Sequence, residues 1–116
     1  MLIKIKNLKL KTIIGVHEWE EKIDREIIIN AEIETDKTDA INSDRLSDTI
    51  DYDVIITDIK NLVENNRFNL IEKLAGEIMK KIMKNRNIKR CRLEVDKVGV
   101  VDCVESFSIT IEQNGY

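Results

Sequence analysis

The sequence predicts an α+β fold: an antiparallel sheet carrying two helices on one face. Three observations predict it. Four stretches alternate apolar with polar residues, the period of a strand with one dry and one wet face. Between the second and third of these, two segments repeat their apolar residues at helical spacing. The chain has 116 residues, four Gly and no Pro, which fits one domain spanning residues 1–116. The resulting order is β-β-α-α-β-β, two hairpins flanking a helix pair.

The first strand is expected over residues 2–14. Ile3 and Ile5 alternate with Lys4 and Lys6, then Leu8 and Leu10 alternate with Lys9 and Lys11. The apolar parity changes at Asn7, and a bulge or bend there would return both halves to one face. Gly15 opens a loop running through Val16, His17, Glu18, Trp19, Glu20, Glu21 and Lys22, which holds the only His and the only Trp of the chain. Such residues in a connection are more suggestive than in a core, although a lone loop His is by default solvated. The second strand runs from Glu26 to Thr35. It places Ile27, Ile29, Ala31 and Ile33 on one face and Ile28, Asn30, Glu32 and Glu34 on the other. These two strands make a long hairpin around the His17–Glu21 loop.

Residues 36–51 are polar and rich in turn and cap formers. The first helix is expected from Tyr52 to Glu64, with Val54, Ile55, Ile59, Leu62 and Val63 as its apolar face. Asn65-Asn66 would end it, because Asn tolerates the left-handed conformation. The second helix is expected from about Leu70 to Asn85, with Ile71, Leu74, Ile78 and Ile82 as its core stripe and basic residues at its negative pole. The third strand spans Ile88–Val98 and the fourth Val104–Glu112, with Phe107, Ile109 and Ile111 inward.

Three side chains on this frame each have two readings. Glu72 sits beside the helix stripe. It either closes a capping box with Asn69 as N-cap, or it is an acceptor-only hook aimed at a pocket. Lys97 shares its parity with Cys91, Leu93 and Val95 and so ends an apolar strand face. Its amine either snorkels to water or is partly desolvated and usable as a general acid or base. Tyr52, directly after Asp51, is either a core aromatic or a hydroxyl that orients a substrate. Glu20, beside Trp19, is solvated by default.

Composition excludes several function classes. A net charge of −3 argues against a general nucleic-acid binder. No apolar run approaches membrane length, and Lys4 and Lys6 interrupt the apolar start, so neither a membrane span nor a signal peptide is expected. Cys91 and Cys103 do not make a disulfide framework, and with one His they are too few for a zinc site. A cytoplasmic, reduced protein follows. There is no Gly-rich phosphate loop and no nucleophile elbow. Charged residues make up 35% and aromatics 4%, so the core is aliphatic, and an Ile-rich sheet of this size has edges that favour assembly with further copies.

Four motifs come in a recognisable order: Ile14-Gly15-Val16-His17-Glu18-Trp19-Glu20, Asp48-Thr49-Ile50-Asp51-Tyr52, Asn69-Leu70-Ile71-Glu72-Lys73-Leu74, and Asp96-Lys97. Together with the β-β-α-α-β-β layout they resemble the dihydroneopterin aldolase family from about Ile3 to Glu112. Two details resemble its dihydroneopterin triphosphate 2′-epimerase branch. These are Val63-Glu64-Asn65-Asn66-Arg67-Phe68, and Glu94-Val95-Asp96-Lys97 followed by Asp102-Cys103-Val104-Glu105-Ser106. One departure from the aldolase pattern stands out: Val98 follows the lysine where typical aldolases have proline, which leaves that connection less rigid.

The resemblance implies a tunnelling fold (T-fold), in which the sheets of a homo-oligomer join into a barrel, usually an octamer of two tetrameric rings with pockets between neighbouring subunits. It implies a pterin substrate held by Glu72, with help from the Ile71 backbone. It makes Tyr52 an orienting residue, Glu20 a substrate contact offered by an adjacent subunit, and Lys97 the acid/base group. It implies no cofactor and no metal, because the dihydropterin ring supplies its own electron sink. The expected activity is retro-aldol and aldol chemistry at C2′ of 7,8-dihydroneopterin or its triphosphate. The alternatives are a dedicated folate-pathway aldolase and a non-catalytic pterin or purine binder. Lys22, Arg25, Lys9 and Lys11 are candidate phosphate neighbours.

Overall fold

The computed structural model describes residues 1–17 and 24–116. Strand β1 (Leu2–Ile13) and strand β2 (Asp24–Thr35) are followed by a one-turn helix α1 (Ala40–Ser43) and a 3-10 turn (Leu46–Asp48). Helices α2 (Tyr52–Glu64) and α3 (Ile71–Met83) come next, then strands β3 (Ile88–Val101) and β4 (Val104–Asn114). The sheet order is β1-β2-β3-β4, and every neighbouring pair is antiparallel. Among the described residues no helix is long and apolar enough to cross a membrane.

The register stacks side chains into rows on the helix-facing side. One row is Leu8–Ile29–Val95–Ile109 and the next is Ile5–Ala31–Leu93–Ile111. The central members Ile29, Val95 and Leu93 are fully buried. The parity change in β1 is resolved as the sequence predicts. The β1–β2 register jumps between Ile5 and Leu8, and Asn7 takes a left-handed φ of 54° while its N–H donates to Asn30 Oδ1 at 2.8 Å. Asn accepts that conformation more readily than most residues.

Helix α3 buries Ile71, Leu74, Ile78 and Ile82 as its stripe requires, and adds Ala75 and Met79. Helix α2 buries Ile55, Ile59 and Val63, which lie on one i, i+4 line. Val54, expected on that face, is 54% exposed. It sits one residue, about 100° around the helix, from that buried line. The Asp51 carboxylate caps α2 by accepting from the N–H groups of Asp53 and Val54. The helix end differs from expectation. Asn65 has φ −100° and ψ 2°, so no left-handed cap forms, and Asn66 Nδ2 instead donates back to the Leu62 carbonyl at 2.9 Å. The second helix also ends at Met83, short of the expected Asn85.

A small clasp joins the end of β1 to the α2–α3 connection. Ile14 pairs with Phe68 in a parallel bridge, where the Gly15 N–H donates to the Phe68 carbonyl and the Phe68 N–H to the Ile13 carbonyl. Beside it, the buried Thr12 hydroxyl donates to the Val63 carbonyl at 3.1 Å. This clasp brings Gly15–His17 alongside the start of α3.

The sheet outruns its helices. The 13 residues of α3 span about 20 Å, whereas the 14 residues of β3 span about 46 Å. The molecule is accordingly drawn out to 51 × 26 × 22 Å. Where helix cover stops, apolar side chains stand in the open: Val101, Val104 and Phe107 are 51%, 45% and 53% exposed. Phe107 therefore corrects its expected inward placement. Ile109 and Ile111, one and two rows further in, are partly buried against the core.

Candidate functional site

At this uncovered end lies a cavity of about 450 Å³. Its walls come from three places in the chain. The β1 end gives Gly15, Val16 and His17. The start of α3 gives Asn69, Leu70, Ile71 and Glu72. The far end of the second hairpin gives Lys97, Val101, Val104 and Phe107. Each group is delivered by a feature already described: the Ile14–Phe68 clasp, the N-terminus of α3, and the overhang of β3 and β4.

Glu72 lies in the first turn of α3, where a negative charge suits the positive end of the helix dipole. The capping-box reading fails in its expected form. The N-cap of α3 is Leu70, with φ −123° and ψ 141°, and no side chain caps it. Asn69 stands one residue outside the helix, on the cavity wall. The first N–H groups of α3, from Ile71 onward, have no partner within the helix and mark its start beside the cavity.

Lys97 belongs to a row that crosses three strands. It pairs with Ile27 on β2 and with Phe107 on β4. Ile27 is fully buried and Phe107 is open, so the lysine stands at the boundary between core and cavity. A flat heterocycle needs apolar walls with a few convergent polar groups, and this cavity offers both. A second hollow of about 350 Å³ on the opposite face is walled largely by Lys4, Lys6, Glu32, Arg92 and Glu94. With charged side chains on nearly every side it lacks the apolar walls such a ligand requires.

Of the other predicted site residues that the structure describes, Tyr52 is not gathered here. Tyr52 is the first residue of α2, 54% exposed, and does not line the cavity. It is therefore not the core aromatic that one sequence reading allowed. Glu20 and Lys22 lie outside the described residues. Among the described residues no three His, Cys, Asp or Glu side chains come together as metal ligands would. The sequence read Phe107 as core, which the structure corrects, and His17 as a solvated loop residue; His17 is exposed as expected and also lines the cavity. The only signal for His17 was its rarity in a connection, and for Phe107 its position one row beyond the last helix-covered pair.

Comparison with known proteins gives four concordant findings. The family model for dihydroneopterin aldolase (FolB) matches residues 3–112. The dihydroneopterin triphosphate 2′-epimerase of Escherichia coli K12 is 33% identical over 110 residues, covering 95% of this chain and 92% of that protein. The dihydroneopterin aldolase of the same organism is 29% identical over 112 residues, covering 97% and 92%. The crystal structure of E. coli dihydroneopterin aldolase in complex with neopterin superposes with a TM-score of 0.93 at 28% identity, covering 98% of this chain and 99% of that one.

Proposed function

This chain belongs to the dihydroneopterin aldolase family, and from that premise we propose that its cavity binds a dihydroneopterin and acts at C2′. The reaction is retro-aldol and aldol chemistry: epimerisation at C2′ of 7,8-dihydroneopterin triphosphate, with cleavage of dihydroneopterin to 6-hydroxymethyl-7,8-dihydropterin and glycolaldehyde. The observation that carries this reading is that Glu72 and Lys97, from a helix start and a strand end, share one apolar-walled cavity with Ile71 and Phe107.

The roles follow from the chemistry of each group. The Glu72 carboxylate accepts two parallel N–H bonds from the guanidine-like edge of the pterin, which fixes its register. The Ile71 backbone adds a polar contact, and Phe107 offers an apolar face to the ring. Lys97 moves protons at the side chain. Removing the C2′ hydroxyl proton lets the C1′–C2′ bond break, and its electron pair enters the protonated imine of the dihydropterin. Glycolaldehyde leaves and an enamine remains. Protonation of the enamine completes cleavage; re-addition of the aldehyde by its other face inverts C2′.

Tyr52 and Glu20 complete the site from a neighbouring subunit in this proposal. What supports this is the placement of Tyr52 away from the cavity and the exposure of Val101, Val104 and Phe107, an apolar rim fit to be covered by a second copy. The edge strands β1 and β4 would pair between copies and close the sheets into a barrel, an octamer of two tetrameric rings. The free thiols Cys91 and Cys103 suit the reducing cytoplasm. The epimerase side is supported by the two branch-like motifs and by Val98 after Lys97. The dedicated aldolase is the second reading, favoured by the backbone likeness to the neopterin-bound aldolase.

Incubation with dihydroneopterin and with its triphosphate, followed by separation of products, tests the proposal. Glycolaldehyde or a C2′ epimer is expected; formation of neither overturns it.

A further inference from the structure

We infer that Arg25 is a positioning residue for Lys97, clamping the irregular stretch of β3 that follows the lysine. The inference rests on the functional reading above and adds a residue to it. Arg25 lies two residues before Ile27 on β2, so both side chains leave the same face of the sheet. Ile27 pairs directly with Lys97, which makes Arg25 its diagonal neighbour, about 7–8 Å away by strand geometry. The guanidinium reaches across the strand gap, and Nη1 donates to the Gly99 carbonyl at 3.2 Å.

That carbonyl sits where the hairpin is least regular. The β3–β4 register jumps between Val98 and Val101, and Gly99 has φ +72°, a conformation that favours glycine. The irregular stretch is bracketed by Lys97 and Val101, both on the cavity wall. No proline stiffens it, because the chain contains none. Ladder bonds to β4 are interrupted there, so the contact from β2 ties the stretch back to the β1–β2 ladder, where Arg25 pairs with Thr12. Arginine suits this task because its planar fork of donors is pre-organised.

The test compares wild type with Arg25→Gln and Arg25→Lys, alone and combined with Lys97→Ala. Hydrogen exchange is the first readout. The amides of residues 98–101 should exchange about tenfold faster in Arg25→Gln while the centre of the sheet is unchanged. The second is the split of kinetic constants on dihydroneopterin. Arg25→Gln should lower kcat about tenfold with KM within about twofold, because the pterin grip at Glu72 is untouched. Arg25→Lys, which keeps a long, charged donor group but not the planar fork, should fall between wild type and Arg25→Gln. The third is coupling: in the Lys97→Ala background the Arg25→Gln substitution should cost nothing further.

Unchanged exchange at residues 98–101 overturns the clamp, whatever the activity. An equal kcat loss with and without Lys97 overturns the positioning role and leaves a merely structural one. A wild-type chain that turns over neither pterin overturns the functional reading, and the exchange experiment still decides the clamp. If Arg25→Gln does not fold, Arg25→Lys carries the same readouts.

Discussion

Cys91 and Lys97 stand on the same face of the same strand, three rows apart, and their surroundings are opposite. Around Cys91 the sheet lies under the helices, Ile33 and Ile88 are sealed, and the thiol is fully buried. Burial pushes its pKa up to about 12, so it stays a protonated, unreactive thiol. Around Lys97 the helices have run out, the neighbouring Phe107 is open, and a cavity takes the place of core. The alternation of side chains is continuous along the strand. What changes is cover: a short helix over a long strand closes one end and leaves the other for chemistry. Buried core is concentrated at the first end and the proposed chemistry at the second.

This division can be broken most sharply at Lys97. Lys97→Ala should lower turnover of dihydroneopterin by roughly 10²–10⁴-fold, the range for a lost acid/base group, with a urea midpoint close to wild type. Steady-state kinetics beside equilibrium unfolding would show it, and near-normal turnover would move the proton chemistry elsewhere.

Leu93→Ala should do the reverse. Leu93 is fully buried in the row that joins Ala31 to Ile111, and its truncation should cost about 2–5 kcal/mol in urea unfolding. Activity per folded molecule should be retained. A loss of activity without a loss of stability would mean the two ends are coupled.

Glu72→Gln should leave α3 intact by circular dichroism yet weaken neopterin binding by roughly 1–3 kcal/mol, the value of a charge-assisted hydrogen bond. Calorimetric titration gives the number. An unchanged Kd with lowered stability would return Glu72 to a role at the helix end only.

The smallest effect concerns the thiols. Native protein should give one fast-reacting thiol per chain, Cys103 in the exposed turn, and a second only after urea exposes Cys91. The raised pKa of Cys91 also fixes a sign. Above about pH 8.5, the ordinary thiol value, the unfolded chain holds fewer protons than the folded one, so stability falls as pH rises toward 12. Below that range the thiol adds no pH dependence. The decline in urea midpoint from pH 8 to 10 should be shallower in Cys91→Ala; parallel slopes would refute the burial effect.

The strands and helices were readable because their signals are local. Ile27, Ile29, Ala31 and Ile33 announce a strand face by alternation alone, and the switch at Asn7 announces a bulge because a strand has only two faces. Phe107 misled because alternation tells which face a residue takes and not whether anything covers that face. Asn65 misled because its tolerance for left-handed backbone was taken for use of it. Glu72 and Lys97 were singled out from apolar spacing, and Ile71 with them from motif order; their meeting in one cavity depends on the Ile14–Phe68 clasp and the α3 start, which no local pattern encodes.

By itself, then, the sequence determined the order of elements, the dry and wet faces and the residues able to do acid, base and acceptor chemistry, since those depend on neighbours a few positions away. Only the tertiary structure decided which of those residues share a cavity, where the core stops, and that Arg25 reaches the Gly99 carbonyl. These depend on helix length set against strand length and on contacts between distant segments, quantities fixed when the elements pack.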